Sequence, residues 1–396
     1  MGELSRRELL RRMGIGAGAI SVQALLAACG VTGTSENGDA APSPTDLNLE
    51  SQDPAGVLNF ANWPLYIDPP KKANSSLEKF MQATDIEVDY KTVIDDNETF
   101  FGTIREPLSS GQATGWDIIV VTDWLVAKMA NLGYLESLDH DLLGQYDQNA
   151  AEIYKNTTYD PGNQYSVPWQ SGITGIGYNP ELTGREITSF EDLFDPAFEG
   201  KVGMFKEMRD TVNLTLLGMG IKPADATMED VEAATNRLIE QRDSGIVRQY
   251  YGNAYADALV REDIWLTMAW SGDVFQLQFD KPELQFVVPD EGGILWVDNM
   301  CIPKGAEHPV DAHMMMDFVY DPEIAAQIAG WVNYICPVPA AQPILASAKD
   351  KYTRTVANSP LVFPTPEMES RLHSYKNLDE DEEAEWNDLF GTVIQG

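Results

Sequence analysis

Residues 291–303 read E-G-G-I-L-W-V-D-N-M-C-I-P. Two glycines break what precedes the run and a proline closes it, which is the punctuation of a short buried strand. Side chains two apart on a strand share a face, so Trp296 and Asp298 point the same way. A carboxylate on so apolar a strand is costly to bury unless a cation or hydrogen-bond donors compensate it. An arginine elsewhere in the fold would do so. A ligand would do so equally well, with its charged end at Asp298 and its body along Trp296 through cation–π and apolar contact. The stretch by itself leaves both readings open.

Working outward, a chain of 396 residues exceeds the roughly 250 to 300 residues at which one core stops growing, so two lobes are expected. The composition is that of a globular protein, with 43% hydrophobic residues. The net charge of -35, from 62 acidic against 27 basic residues, argues against nucleic acid or an anionic surface as partner and favours cationic ligands or a saline milieu. Residues 57–68, V-L-N-F-A-N-W-P-L-Y-I-D, read as a strand running into a turn at Pro64. Trp63 and Tyr66 fall at its carboxyl end, where open α/β sheets bind ligands. A helix over 75–84, a strand over 86–93 and a helix over 99–110 follow. Residues 115–121, G-W-D-I-I-V-V, form a buried parallel strand that delivers Thr122, Asp123 and Trp124 to the same edge. This alternation makes a doubly wound α/β lobe.

At residues 165–179 glycines and β-formers mix without helical period, as suits an extended segment crossing between lobes. The second lobe is expected to hold a helix from about residue 188, a strand over 201–205, a helix over 206–218 and an amphipathic helix over 227–245. Glu207 and Asp210 lie on one face near the start of the 206–218 helix, where simple capping would account for either alone. A strand over 265–272 ends at Trp270. Any single tryptophan is more often core than site, but Trp63, Trp124, Trp270 and Trp296 all stand at strand exits, which points to a lined cleft. Residues 311–331 read as one helix, with His313, Met314 and Met315 packing and no metal site expected. Tyr334 lies on a loop facing the cleft, and the acidic run 379–383 reads as a solvated helix start.

The amino terminus, S-R-R-E-L-L-R followed by an apolar run over 13–28, resembles a twin-arginine export signal. The run is shorter than the about 20 apolar residues a spanning helix needs. It ends in L-A-A-C-G, which looks like a lipobox with Cys29 as the lipidated residue. Residues 1–28 are thus expected to be removed, and 29–56 to form the lipidated cysteine and a polar, flexible tether. Of the remaining cysteines, Cys301 and Cys336 could pair as a disulfide in an exported protein, but each sits in an apolar context where a free thiol packs, and two buried thiols are the favoured reading.

Together, N-W-x-x-Y, W-D-I-I-V-V, G-K-V-G-M with the acidic R-D helix start, W-S-G and above all E-G-G-I-L-W-V-D resemble the periplasmic spermidine/putrescine-binding proteins, solute-binding partners of ABC importers. The similarity runs from Leu58 to the carboxyl terminus. It implies a two-lobed periplasmic-binding-protein-like α/β fold, each lobe a mixed sheet flanked by helices and hinged by crossover strands. Lobe 1 would comprise 57–167 and 297–360, and lobe 2 168–296 and 361–396. It implies a polyamine site of Trp63, Tyr66, Thr122, Trp124, Glu207, Asp210, Trp270, Trp296, Asp298 and Tyr334. It also implies a monomer without cofactor or enzymatic activity that delivers polyamine to an ABC permease, and the lipobox would hold that monomer outside the cytoplasmic membrane through Cys29. Two departures stand out: Leu65 occupies a position where family members often carry glutamate, beside Pro64, and a late glutamine of the family has no clear counterpart. The competing readings are a binder of another cation or a sugar, and a secreted hydrolase using paired carboxylates. The absence of G-x-S-x-G and H-E-x-x-H motifs and the presence of only four histidines disfavour the hydrolase.

Overall fold

The computed structural model of the protein describes residue 49, residues 52–94 and residues 96–395. The expected export signal, Cys29 and most of the expected tether lie outside the described residues. The stretch read as a tether ends bound to the fold: Leu49 is buried, and the N–H groups of Ala55, Gly56 and Val57 donate to the Asp311 carboxylate.

Among the described residues ten strands carry the architecture: β1 (Val57–Asn62), β2 (Glu87–Thr92), β3 (Ile118–Thr122), β4 (Ser166–Tyr178), β5 (Val202–Phe205), β6 (Val247–Tyr251), β7 (Leu266–Trp270), β8 (Gln285–Val287), β9 (Gly293–Cys301) and β10 (Leu372–His373). They form one continuous path, β2-β1-β3-β9-β4-β7-β5-β6, with β10 beside β9 and β8 beside β4. The path bends into two lobes because β4 changes partners. From Ser166 to Thr174 it pairs with β9, and from Thr174 to Tyr178 with β7. β1, β2 and β3 are mutually parallel, and β9 runs antiparallel to both β3 and β4.

Strand alternation sets the layers of lobe 1. On β3, Ile118 and Val120 enter one core, whereas Ile119 and Val121 enter another on the opposite face. The first core is covered by helices Ser76–Thr84, Pro309–Phe318 and Pro322–Val332, and the second by Asn97–Ser109 and Asp123–Asn131. Lobe 2 has its own core, into which helices Met208–Gly218, Met228–Asp243 and Glu380–Ile394 project. Cys301 and Cys336 are buried free thiols in separate cores.

Two expectations are corrected. Residues 311–331 are not one helix: Pro322 lacks the N–H a continuing helix needs, and Asp321 caps a second helix there. The acidic run 379–383 starts a helix with an Asp379–Glu382 capping box, but Glu383 is not solvated. It is buried against Lys128 and Arg209.

Candidate functional site

The carboxyl ends of β1 and β3 meet β9 at Asp298. Register places Asp298 opposite Thr122 on one side and Gln170 on the other. Its two oxygens accept from hydroxyls: Tyr66 at 2.8 Å and Thr122 at 2.7 Å. Thr122 is oriented in turn by the Asn97 amide, which donates to its hydroxyl at 2.8 Å. No lysine or arginine among the described residues forms an ion pair with Asp298, so the arginine reading of the sequence does not hold. Burial pushes its carboxyl up to about 6, against the downward pull of the two hydroxyls. Asp123, one residue past β3, is also buried and accepts from the backbone N–H groups of Trp124 and Val297. Desolvation, aided by the nearby Asp298 charge, raises it further, to about 8.

Lobe 2 supplies a second carboxylate. Asp210 accepts from Thr174 at 2.8 Å, from the Trp270 indole at 2.9 Å and from the Tyr375 hydroxyl. Burial raises its pKa as well. Glu207 caps the Met208–Gly218 helix, taking the N–H groups of Arg209 and Asp210 at 2.8 and 2.7 Å. Its carboxyl is pushed upward by crowding and then by the Asp210 charge. Because the residue is exposed, water offsets much of that push. Capping is therefore what Glu207 visibly does.

Aromatic rings join these carboxylates. Tyr334 lies 5.9 Å from Tyr66 and 5.5 Å from Trp296, ring centre to ring centre. Trp296 fits only because Gly172 faces it across the β4–β9 pair: a Cβ there would lie 2.2 Å from the indole. Trp63 is half-buried and donates through its indole to the Val120 carbonyl at 3.0 Å. Leu65, between Trp63 and Tyr66, holds the left-handed backbone at φ 58, which a branched side chain adopts only with strain.

Sequence reasoning missed two residues. Asp273, in the Ser271–Leu277 helix, accepts the hydroxyls of Tyr334 and Tyr255, both at 2.9 Å, and so joins the lobes beside Trp270. The W-S-G-D stretch held that signal, since its acid follows the tryptophan by three residues. Arg209 is the second: its guanidinium stacks on Trp124 at 4.1 Å and pairs with Glu383. Trp124, expected to face a ligand, thus offers that face to a protein cation. Lys128 pairs with Glu383 at 2.8 Å, so lobe 1 and lobe 2 are tied at this rim and meet in a closed arrangement.

Tyr66, Thr122, Trp296, Asp298 and Tyr334 are thus brought together, and Asp210 with Trp270 forms a second group reached through Asp273 and Tyr255. Buried carboxylates fed by hydroxyls and framed by rings are suited to hold N–H donors of a cation rather than to activate water. No group of three or more His, Cys, Asp or Glu among the described residues is arranged to hold a metal ion. No helix among them is long and apolar enough to cross a membrane.

Comparison with known proteins gives a consistent picture. The family described as bacterial extracellular solute-binding protein matches residues 75–360. The spermidine/putrescine-binding periplasmic protein of Escherichia coli is 27% identical over 322 residues, covering 81% of this chain and 87% of its own length. The putrescine-binding periplasmic protein SpuD of Pseudomonas aeruginosa is 27% identical over 340 residues, covering 81% and 87%. Among solved structures, a putative spermidine/putrescine ABC transporter protein from Listeria monocytogenes superposes with a TM-score of 0.74 at 27% identity, covering 86% of this chain and 99% of its own.

Proposed function

Because this chain belongs to the bacterial extracellular solute-binding proteins, we propose that it captures a polyamine in the cleft between its lobes and presents it to an ABC permease. One observation carries the reading: Asp298 is buried and held by two hydroxyls without a protein cation among the described residues. An ammonium group supplies the missing charge, and Trp296, Tyr334 and Tyr66 cover the methylenes beyond it. Asp210 and Asp273 take a second amine from lobe 2, with Trp270 beside them. Trp63 and Thr122 position this first group, whereas Trp124 and Glu207 act through Arg209 and the helix end. The relatives' names support this ligand class. The protein is read as a binder and not an enzyme, acting as a monomer outside the cytoplasmic membrane with Cys29 carrying the lipid. Residues 57–167 with 297–360, and 168–296 with 361–396, are the proposed lobes.

Calorimetry of the mature chain against putrescine, spermidine, a sugar panel and thiamine tests the ligand class. Binding of polyamines alone is expected, and Asp298→Asn weakens it by about tenfold or more, the loss of one charge-assisted contact. Tight sugar binding that survives Asp298→Asn sinks the proposal.

A further inference from the structure

Away from these carboxylates, a cavity of about 550 Å³ opens on the seam between the lobes. Phe286 comes from β8, and Phe275 comes from the Ser271–Leu277 helix beside β7, its side chain crossing into the lobe 1 core. The other wall is Lys351 and Arg354, on the Lys351–Ala357 helix that packs on the lobe 1 core, with Leu361 beyond the helix buried in that same core. Phe286 rests against Gly175 of β4, next to the point where β4 leaves β9 for β7. Beside the cavity, the exposed rings of Phe279 and Tyr352 meet across the same seam at 4.6 Å.

No acidic side chain among the described residues lines this cavity, although the chain carries 62 acidic residues. Lys351 and Arg354 are one helical turn apart, and neither makes an ion pair among the described residues. Arg354 spends one nitrogen on the carbonyls of Ala348 and Lys349. Asp350, the neighbouring acid, caps the helix by accepting from Thr353. The Asp350 charge reaches Arg354 without closing an ion pair, and two cations at the rim of an aromatic and aliphatic floor match an anion with an apolar body.

We propose that this seam cavity binds a small organic carboxylate, with its carboxylate at Lys351 and Arg354 and its body on Phe275, Phe286 and Leu361, and that the occupant favours the closed lobes. Its walls come from both lobes, so it has this shape only when they meet as they do here. A ligand touching both walls selects that arrangement, and the coupling to the cleft is reciprocal. The Ser271–Leu277 helix links the two places, carrying Asp273 to the cleft and Phe275 to the cavity.

The test is calorimetry of the full mature chain with hexanoate, using hexanol and sulfate as controls. Hexanoate is expected to bind, hexanol and sulfate not to, and Lys351→Ser with Arg354→Ser to weaken hexanoate by about tenfold. Both residues are exposed and outside the polyamine site; should the double variant not fold, Arg354→Gln alone reads the same loss. Absent binding, equal binding to the variant, or equal binding of hexanol or sulfate overturns the site. The coupling arm rests on the polyamine reading: saturating hexanoate tightens putrescine binding by about threefold in the wild type and not in the variant. No change there overturns the coupling. If putrescine fails to bind while hexanoate binding depends on Lys351 and Arg354, the polyamine reading falls and the site stands, with closure then read by small-angle scattering.

Discussion

Asp298 and Asp123 are neighbours that burial treats unequally. With Asp298 pushed up to about 6 and Asp123 to about 8, near neutrality Asp298 carries the charge and Asp123 holds a proton. An aspartate in the unfolded chain titrates near 3.9. The native state therefore binds the Asp298 proton more tightly than the unfolded state, and the stability this gives is present below about pH 4 and lost as pH rises to about 6. Ligand binding runs the other way, because an ammonium needs the anion. Polyamine affinity is expected to fall by roughly tenfold per pH unit below about pH 6, and Asp298→Asn to flatten that fall without lowering the melting midpoint of the unliganded protein at pH 7. A several-degree loss of midpoint would make Asp298 structural. Asp123→Asn, by contrast, is expected to leave affinity at pH 7 within about threefold. Leu65 bears on ligand length. An ammonium set against it would lie desolvated and unpaired, so putrescine is expected to bind at least as tightly as spermidine, and Leu65→Glu to shift preference toward spermidine. Titration of both ligands checks this, and an unchanged spermidine preference above about tenfold contradicts it.

At the scale of elements, β4 and β9 place Trp296 by leaving it room. Gly172→Ala would drive a methyl into the indole, which is expected to cost about 1–3 kcal/mol of stability and to weaken polyamine binding, both read on the same variant by urea melts and calorimetry. The helices carry the other tie. Glu383→Gln leaves the buried Arg209 without its carboxylate and is expected to cost about 3–5 kcal/mol, whereas Lys128→Met, at a more exposed pair, costs at most about 1 kcal/mol. Equal losses in urea unfolding would show that the buried arginine is not the sensitive partner. These elements also mark what was legible beforehand. The runs around Ile118, Leu266 and Leu295 announced their strands, and the Trp-x-Asp spacing announced Asp298, because strand periodicity is local. Glu383 reads as a solvated cap in the sequence because its partners stand 255 and 174 residues away. Asp273 escaped notice for the same reason, since Tyr334 is 61 residues from it. The break at Pro322 is legible in the sequence, but the apolar period continues on both sides of it and reads as one helix.

At the scale of the whole molecule, the lipid and the lobes are expected to be separable. Cys29→Ser should release the protein from the membrane fraction with polyamine affinity unchanged; retention at the membrane would mean that another segment anchors it. The two lobes themselves are less separable, because β9 is paired on both sides. It runs between β3 and β4, and its residues 293 and 294 also meet β10. Those partners span residues 119 to 373, so the centre of the sheet joins segments synthesised far apart. Until β9 emerges, β3 and β4 both present unpaired edges, open to pairing with other chains. Contacts of such long separation close slowly. The strand that carries Asp298 and Trp296 is thus a late arrival that seals the sheet, and a chain able to hold ligand is one whose assembly has already finished.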